Sequence, residues 1–189
     1  IYTGASVNGA WDNGITWNRE HQWPDSKLGV NTSNSTTGPA ADLFELAPCN
    51  PSLNSSRGNN NIGGYNSSGS AGNSGSVFFP GELHKGDISR SIFYMATRYS
   101  NLSVVNGSPS ATYQFGDLAS MVKWHYADVP DTFERRKNHV NYTTYQLNRN
   151  PYIDRPEYVH SVFVDQANDT RLTITGADST DANAGSTKT

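Results

Sequence analysis

The segment WNREHQWP, from Trp17 to Pro24, places three chemically active side chains next to one another between two tryptophans. Glu20 is a hard oxygen ligand for a divalent cation, and His21 can transfer protons near neutral pH. Arg19 is a planar partner for a phosphate or a carboxylate. Because neighbouring side chains of a regular strand point to opposite faces, Glu20 and His21 can share a site only at a strand end or in an irregular turn. Pro24 favours a strand end, although a solvated surface strand would explain the same tripeptide.

The composition limits the fold to one economical domain. A chain of 189 residues suffices for one hydrophobic core, and two would be cramped. Only 34% of the residues are hydrophobic and the mean hydropathy is −0.65, so polar loops must be plentiful. Cys49 is the single cysteine, which excludes an intramolecular disulfide and a cysteine-rich zinc site. Abundant Asn, Ser, Thr and Gly beside only 16% charged residues favours an extracytoplasmic protein.

The length of the apolar runs and the net charge bear on a membrane partner but decide little about other partners. No apolar run reaches the roughly 20 residues that a transmembrane helix needs, so we expect no membrane partner. A net charge of −3 argues mildly against a polyanionic partner, because Lys and Arg make phosphate contacts. The basic residues nevertheless crowd the second half of the chain, at Arg90, Arg98, Lys123, Arg135, Arg136, Lys137, Arg149 and Arg155. Net charge alone therefore does not decide whether nucleic acid is a partner.

Turn residues and prolines divide the first half of the chain into short pieces. Residues 1–16 predict a strand or loop, and residues 25–41 a polar loop. Residues 42–48 predict a short strand that is ended by its proline. Residues 60–76 are low in complexity and predict a mobile loop.

A short polar helix is predicted between the last two of these pieces. Asn50 is a good N-cap, with Pro51 at the first helical position and the helix running through Asn59. The helix has almost no apolar face, and Gly58 lowers its stability while allowing close backbone approach. A segment with so little capacity to pack more often has a chemical role than a structural one. The alternative interpretation is a solvated loop without a function.

The second half of the chain is predicted to be mainly helical. Three helices begin at aspartate N-caps, namely Asp87, Asp117 and Asp131. The first runs to Tyr99. The third has Phe133, Val140 and Leu147 on one side, which predicts a core-facing stripe, and it stops before Asn150.

The chain is predicted to end in a short helix and a tail. Residues 156–163 favour a last helix that contributes to the core. Beyond residue 165 the sequence is rich in Thr, Asp, Ala and Gly, which is typical of a linker. We therefore expect one domain over residues 1–165 and a tail over residues 166–189.

The order of these segments resembles the bacterial endonuclease I family of secreted or periplasmic nucleases. The resemblance covers about residues 2–165 and rests on separated blocks in the family's order. These blocks are Tyr2-Thr3-Gly4, Thr16 to Pro24, Asp42-Leu43 with Leu46 and Pro48, Asn50 to Asn59, Lys85-Gly86-Asp87, Arg90 to Tyr99, Trp124-His125, Phe133 to Arg136, and Asn148 to Asp154. A lone Arg-Glu-His would be weak, whereas the ordered series is specific.

The resemblance implies an α+β fold with a ββα-metal core, a mainly helical C-terminal half and long polar loops. It implies a metal-dependent, largely sequence-nonspecific endonuclease that hydrolyses DNA, with RNA as a second substrate, and leaves 5′-phosphate ends. The protein is then expected to be extracellular or periplasmic and monomeric. Nothing in the sequence offers a recognition helix, so phosphate contacts should dominate binding.

Site roles follow from the same resemblance. Glu20 and Asn59 are expected to hold one Mg²⁺, with Ca²⁺ or Mn²⁺ as alternatives, and His21 to be the general base. Glu45 is expected to be a supporting catalytic residue. Apart from the resemblance, Arg57 is expected to be catalytic as one of two arginines whose guanidinium could clamp a phosphate oxygen.

Substrate contacts are expected from three arginines: Arg19, Arg57 and Arg90. The sequence does not choose between Arg57 and Arg90 as the phosphate clamp. Phe44 stands where the family usually has a histidine, which puts that histidine's part in doubt here.

Two other classes of function stay open at this point. One is an extracellular binding module that keeps a nuclease-like scaffold without catalysis, which Phe44 and the acidic net charge favour slightly. The other is a zinc site built from His21, His84 and His125, which lacks a recognisable ligand spacing.

Overall fold

The protein has an α+β fold, which confirms the predicted class. The computed structural model describes residues 1–30, 37–165 and 170–172, so most of the predicted tail over 166–189 lies outside the described residues. The strands are β1 (Asn18–His21), β2 (Leu46–Cys49), β3 (Asn61–Ile62), β4 (Gly72–Ser74), β5 (Val77–Phe79), β6 (Ser103–Val104) and β7 (Gln114–Phe115). The α-helices are α1 (Asp25–Leu28), α2 (Pro51–Arg57), α3 (Lys85–Arg98), α4 (Leu118–Ala127), α5 (Thr132–Val140) and α6 (Pro151–Asp154).

Shorter helical turns complete the description. Among the residues that the structure describes, Asn141–Tyr145 and His160–Val164 have π-helical geometry, and Pro39–Ala41 and Thr170–Leu172 have 3₁₀ geometry. The strands form three small sheets. β1 pairs antiparallel with β2, β5 lies between parallel β3 and antiparallel β4, and β6 pairs parallel with β7.

Strands β1 and β2 with helix α2 form a ββα unit that positions the predicted site. Glu20 lies opposite Ala47 in the antiparallel pair, and His21 lies opposite Leu46. Helix α2 packs against β1, where the Asn54 side chain donates to the Asn18 side chain at 2.9 Å. The arrangement is consistent with the ββα-metal core that the resemblance implied.

The start of α2 confirms the predicted cap. The Asn50 side chain accepts a hydrogen bond from Leu53 N at 3.1 Å, and Pro51 occupies the first helical position. The helix ends at Arg57, two residues earlier than predicted. Gly58 follows with φ +53°, a backbone conformation that a residue with a side chain rarely adopts.

Two predictions for the first half were wrong in detail. Residues 42–45 form a turn, so strand β2 starts only at Leu46 and runs through Pro48 to Cys49. Pro48 is tolerated because the sheet has only two strands, so its missing N–H falls on an edge. Residues 60–76 also do more than form a loop, because they contribute β3 and β4 to the sheet around β5.

Helices α3 and α4 pack against each other and form much of the core. Ile88, Ile92 and Met95 recur at helical spacing along α3, and all three are completely buried. The fully buried large side chains outside α3 include Trp23, Trp124, Phe44, Phe78, Phe115 and Tyr152. The described helices include none that is long and apolar enough to span a bilayer.

The helix caps were predicted correctly at two of three aspartates. Asp117 accepts from Ser120 N at the start of α4, and Asp131 accepts from Glu134 N at the start of α5. Asp87 is wrong as a cap, because α3 already begins at Lys85 and Asp87 lies in its first turn.

The core stripe predicted for α5 was also wrong. Phe133 is 71% exposed and Leu147 is 74% exposed. The regular α-helix ends at Val140, and a π-helical turn follows it. The change in the number of residues per turn alters the direction in which the side chains after Val140 point. The last predicted helix is present as helical turns, with Val159 buried and Phe163 stacked on Phe93 at 4.4 Å.

Candidate active site

The end of strand β1 separates Glu20 and His21 as the alternation of a strand requires. Glu20 points into the protein and is 2% exposed, whereas His21 is the last residue of the strand and is partly buried. The burial pattern along the strand therefore places a carboxylate inside and an imidazole at the rim.

Glu20 is held by two donors from distant parts of the chain. The Tyr2 hydroxyl donates to Glu20 Oε1 at 2.6 Å, and Arg57 Nη1 donates to the same oxygen at 3.0 Å. Both of these hydrogen bonds are made to Oε1. Burial raises the pKa of Glu20 above its usual value, and the Arg57 guanidinium acts in the opposite direction. A cation at Oε2 would favour the ionised carboxylate further.

The ring of His21 has one defined tautomer when it is neutral. His21 Nε2 lies 3.1 Å from the carbonyl oxygen of Ala40 in the 3₁₀ turn Pro39–Ala41. A carbonyl can only accept a hydrogen bond, so Nε2 carries the proton. Nδ1 then has the lone pair that a general base needs.

Arg57 is enclosed by other groups of the protein. Its side chain is 1% exposed, and it donates to Glu20 Oε1, to His21 O at 2.8 Å and to Gln22 O at 2.7 Å. The guanidinium therefore joins the end of α2 to the end of β1. This geometry supports a role in positioning Glu20 and does not support the predicted contact with substrate.

Arg90 is likewise enclosed. Its guanidinium is completely buried and forms a bidentate ion pair with Glu134, with Nε 2.9 Å from Oε1. It also pairs with Asp87 at 3.2 Å and donates to the Asp128 carbonyl. Arg90 joins α3 to α5 and is a structural anchor, so the predicted substrate contact is not supported here either.

Arg19 is the predicted substrate arginine that reaches the surface. Its side chain is exposed, and its guanidinium lies over the ring of Trp11, 5.4 Å from the centroid. By strand alternation Arg19 lies on the same face of β1 as His21. Of the three arginines, it is placed best for a substrate that approaches His21.

Glu45 supports the backbone beside the site and does not contact His21. Both of its carboxylate oxygens accept from Trp23 N, at 2.9 and 3.1 Å, and the side chain is completely buried. Burial raises the pKa of Glu45 well above its usual value. Gln22 adds to this connection, because its Nε2 donates to the carbonyls of Phe44 and Glu45.

Asn59 is exposed in the turn that follows α2, two residues after the arginine that pairs with Glu20. Within the described ranges, no group of three or more His, Cys, Asp or Glu residues is arranged to hold a metal ion. A set consisting of the Glu20 carboxylate and the Asn59 amide oxygen still suits a hard cation that keeps most of its waters. The oxygen chemistry of these two side chains is therefore compatible with Mg²⁺.

The structure does not bring the three histidines of the zinc alternative together as ligands. His84 Nδ1 pairs with Asp87 at 3.1 Å, and His125 Nε2 contacts the Pro156 carbonyl at 2.9 Å. Burial lowers the pKa of His125 to about 3, so it is a neutral core residue. Phe44 is also a core residue, because its ring packs on Tyr94 with a centroid separation of 4.7 Å.

Sequence reasoning missed Tyr2 and Ala40 as members of the site. Tyr2 belongs to the first block of the resemblance, so a signal for it was present without a role. Ala40 contributes only its carbonyl, and no side-chain pattern can indicate such a contact.

Comparisons with known proteins now identify the family. The Endonuclease I family model matches residues 2–157, so the chain belongs to this family. The chain is 37% identical over 159 residues to an extracellular ribonuclease of Bacillus amyloliquefaciens and 36% identical over 159 residues to one of Bacillus subtilis (strain 168). Each match covers 78% of this chain and 54% of the relative, so the chain spans about half the length of these relatives. No solved structure matches.

Proposed function

We propose that the protein is a metal-dependent, largely sequence-nonspecific endonuclease that hydrolyses phosphodiester bonds of DNA and RNA and leaves 5′-phosphate ends. The observation that carries the proposal is the contact of His21 Nε2 with the Ala40 carbonyl, which leaves Nδ1 as the basic nitrogen, in the residue that directly follows the anchored carboxylate of Glu20. Membership of the Endonuclease I family supports the reaction class. The names of the two relatives support RNA as a substrate and an extracellular location.

His21 acts as the base in this mechanism. Its Nδ1 takes a proton from the attacking water while Nε2 stays bonded to the Ala40 carbonyl, which keeps the ring in one orientation. A correctly placed general base contributes roughly 10²–10⁴-fold to the rate. The nucleophile is water, so the reaction does not require the 2′-hydroxyl that distinguishes RNA from DNA.

Glu20 and Asn59 would hold the Mg²⁺, and Ca²⁺ or Mn²⁺ could take its place. When bound, that ion supplies positive charge to the phosphoryl oxygens and to the leaving 3′-oxygen. Tyr2 and Arg57 fix the carboxylate of Glu20 from the protein side, because both donate to Oε1. Arg19 contacts a substrate phosphate from the exposed face of β1.

Glu45 acts indirectly through the backbone. Its carboxyl group holds Trp23 N, two residues beyond His21, and so limits the movement of the strand end. The protein is proposed to act as a monomer outside the cytoplasm, with nucleic acid as its partner.

The chemistry of the product ends tests the proposal directly. End-labelled single-stranded RNA and DNA of one sequence are incubated with the protein and Mg²⁺, and the products are examined for their termini. Hydrolysis by water predicts 5′-phosphate and 3′-hydroxyl ends on both polymers. Cleavage of RNA alone with 2′,3′-cyclic phosphate ends would contradict the proposal, because the substrate's own 2′-hydroxyl would then be the nucleophile.

A catalytically inactive binding module is the second candidate, favoured by the core position of Phe44. Such a module would bind nucleic acid and produce no new ends with any divalent metal. The same incubation therefore separates the two candidates, provided that binding is followed alongside cleavage.

A further inference from the structure

An exposed aromatic surface lies beside the candidate active site. Trp11 is 51% exposed and contacts Trp17 edge to face, with ring centroids 5.1 Å apart and planes at 71°. The Arg19 guanidinium lies 5.4 Å from the centroid of Trp11. We call these three side chains the Trp11 platform.

The platform continues the face of β1 that carries His21. Trp17 directly precedes the strand, so Trp17, Arg19 and His21 are separated by two residues each and share one face. At about 3.3 Å per residue, Trp17 lies roughly 13 Å along the chain from His21. That separation suits a nucleotide near the cleaved bond, one or more positions along the strand, and not the cleaved bond itself.

The exposure of the Trp11 ring has no explanation in core packing, whereas Trp17 is partly buried beneath it. The other two tryptophans, Trp23 and Trp124, are 0% and 2% exposed. An exposed indole over which a guanidinium is already placed offers a flat apolar surface with an adjoining positive charge. Nucleobases fit this combination, because every base has a flat aromatic face that can stack on the indole ring. Such stacking is independent of base identity.

The charge of the chain makes such a contribution more important. With a net charge of −3, the protein gains little general attraction to a polyanion. Stacking does not depend on net charge, so it can provide binding free energy that phosphate contacts do not.

We propose that the Trp11 platform stacks an unpaired base beside the scissile phosphodiester, so that single-stranded nucleic acid is preferred over duplex. The proposal rests on the nuclease function proposed above and specifies its substrate class. A base in a duplex is already stacked on its neighbours and would first have to leave the helix, whereas an unpaired base is available.

The test compares binding of a labelled single strand without secondary structure and its duplex, by fluorescence anisotropy over a range of salt concentrations. All measurements use the His21→Ala background, so that the substrate is not cut. Trp11→Ala should weaken single-strand binding roughly 5- to 150-fold. Duplex binding should not change, and the slope of log affinity against log salt should stay the same because no phosphate contact is lost.

Two further variants control the comparison. Trp11→Phe keeps an aromatic face and should retain most of the single-strand affinity. Tyr145→Ala removes another aromatic ring, 68% exposed on the π-helical turn after α5, and should leave both affinities unchanged. Quenching of indole fluorescence by the unlabelled single strand, measured on the His21→Ala protein with Trp11 intact, gives a readout that a folding defect of a Trp11 variant cannot confuse.

The outcomes separate this proposal from the nuclease function. Equal losses for single strand and duplex in Trp11→Ala, or no loss for the single strand, would overturn the platform. If the protein without substitutions cleaves nucleic acid while Trp11→Ala binds normally, only the platform fails. If Trp11→Ala loses single-strand binding but no cleavage is ever seen, the platform stands and the nuclease function fails.

Discussion

Replacing Arg57 by methionine should destabilise the protein strongly, because Arg57 is a buried anchor. The substitution removes the ion pair with Glu20, whose two side chains are 1% and 2% exposed, and the hydrogen bonds to His21 O and Gln22 O. Breaking a buried pair by removing one partner costs about 3–5 kcal/mol, since the other charge stays buried. For a chain of this size, that corresponds to a fall in melting temperature of about 6–20 °C.

The assay is thermal unfolding followed by circular dichroism, with Arg155→Met as the matched control. Arg155 is 64% exposed and pairs only at 3.7 Å with Glu157, so its replacement should change stability by less than about 0.5 kcal/mol. The loss caused by Arg57→Met should shrink in a Glu20→Gln background, because no buried charge is then left without its partner.

The refuting result is equally specific. If Arg57→Met melts like the protein without substitutions but no longer cleaves nucleic acid, Arg57 contacts the substrate. The phosphate clamp predicted from the sequence would then be correct, and the positioning role drawn from the structure would be wrong.

Two further predictions concern the ends of the ββα unit. Asn50→Ala should lower the free energy of unfolding by about 1 kcal/mol, because Leu53 N loses its cap, and Asn50→Asp should restore it; chemical denaturation checks both. Because the pKa of Glu45 is raised in the folded protein, its contribution to stability is complete below the pKa of an unfolded glutamate and is lost as pH rises through the folded value. The Glu45→Gln variant lacks this loss, so as pH rises its melting temperature should increase relative to that of the protein without substitutions. A difference in melting temperature that does not change with pH would contradict the assignment.

Local signals in the sequence predicted the helix starts well. Asn50, Asp117 and Asp131 are caps because a short polar side chain bonds to an amide three residues later, and that geometry depends on neighbours in the chain alone. Asp87 failed as a cap because Arg90 and His84 take its carboxylate instead.

Longer-range features were not predictable from local patterns. The apolar residues Phe133 and Leu147 have the spacing of a core stripe, but both are exposed. The π-helical geometry that begins at Asn141 interrupts the regular spacing before Leu147, whereas Phe133 lies on the exposed side of the regular helix α5. The strands of the sheet around β5 are only two or three residues long. Strands this short leave no alternating pattern in the sequence, so the polar composition of the segment indicates a loop.

The candidate site shows the same division. The neighbouring pair Glu20 and His21 was correctly expected to need a strand end, since alternation follows from backbone geometry. The partners of Glu20 were beyond local reasoning, because Tyr2 and Arg57 are 18 and 37 residues away in the chain. The resemblance to the family gave the order of these sequence blocks. The contacts between them became visible only in the folded structure.

The most direct test of the proposed mechanism is nicking of supercoiled plasmid by the protein without substitutions, by His21→Ala and by His139→Ala, each with Mg²⁺ and with EDTA. His139 is an exposed histidine on α5 and serves as the matched control. We expect Mg²⁺-dependent nicking that is unchanged in His139→Ala and falls by about 10²–10⁴-fold in a folded His21→Ala. Nicking at full rate in His21→Ala would contradict the central role of this imidazole and would require another base.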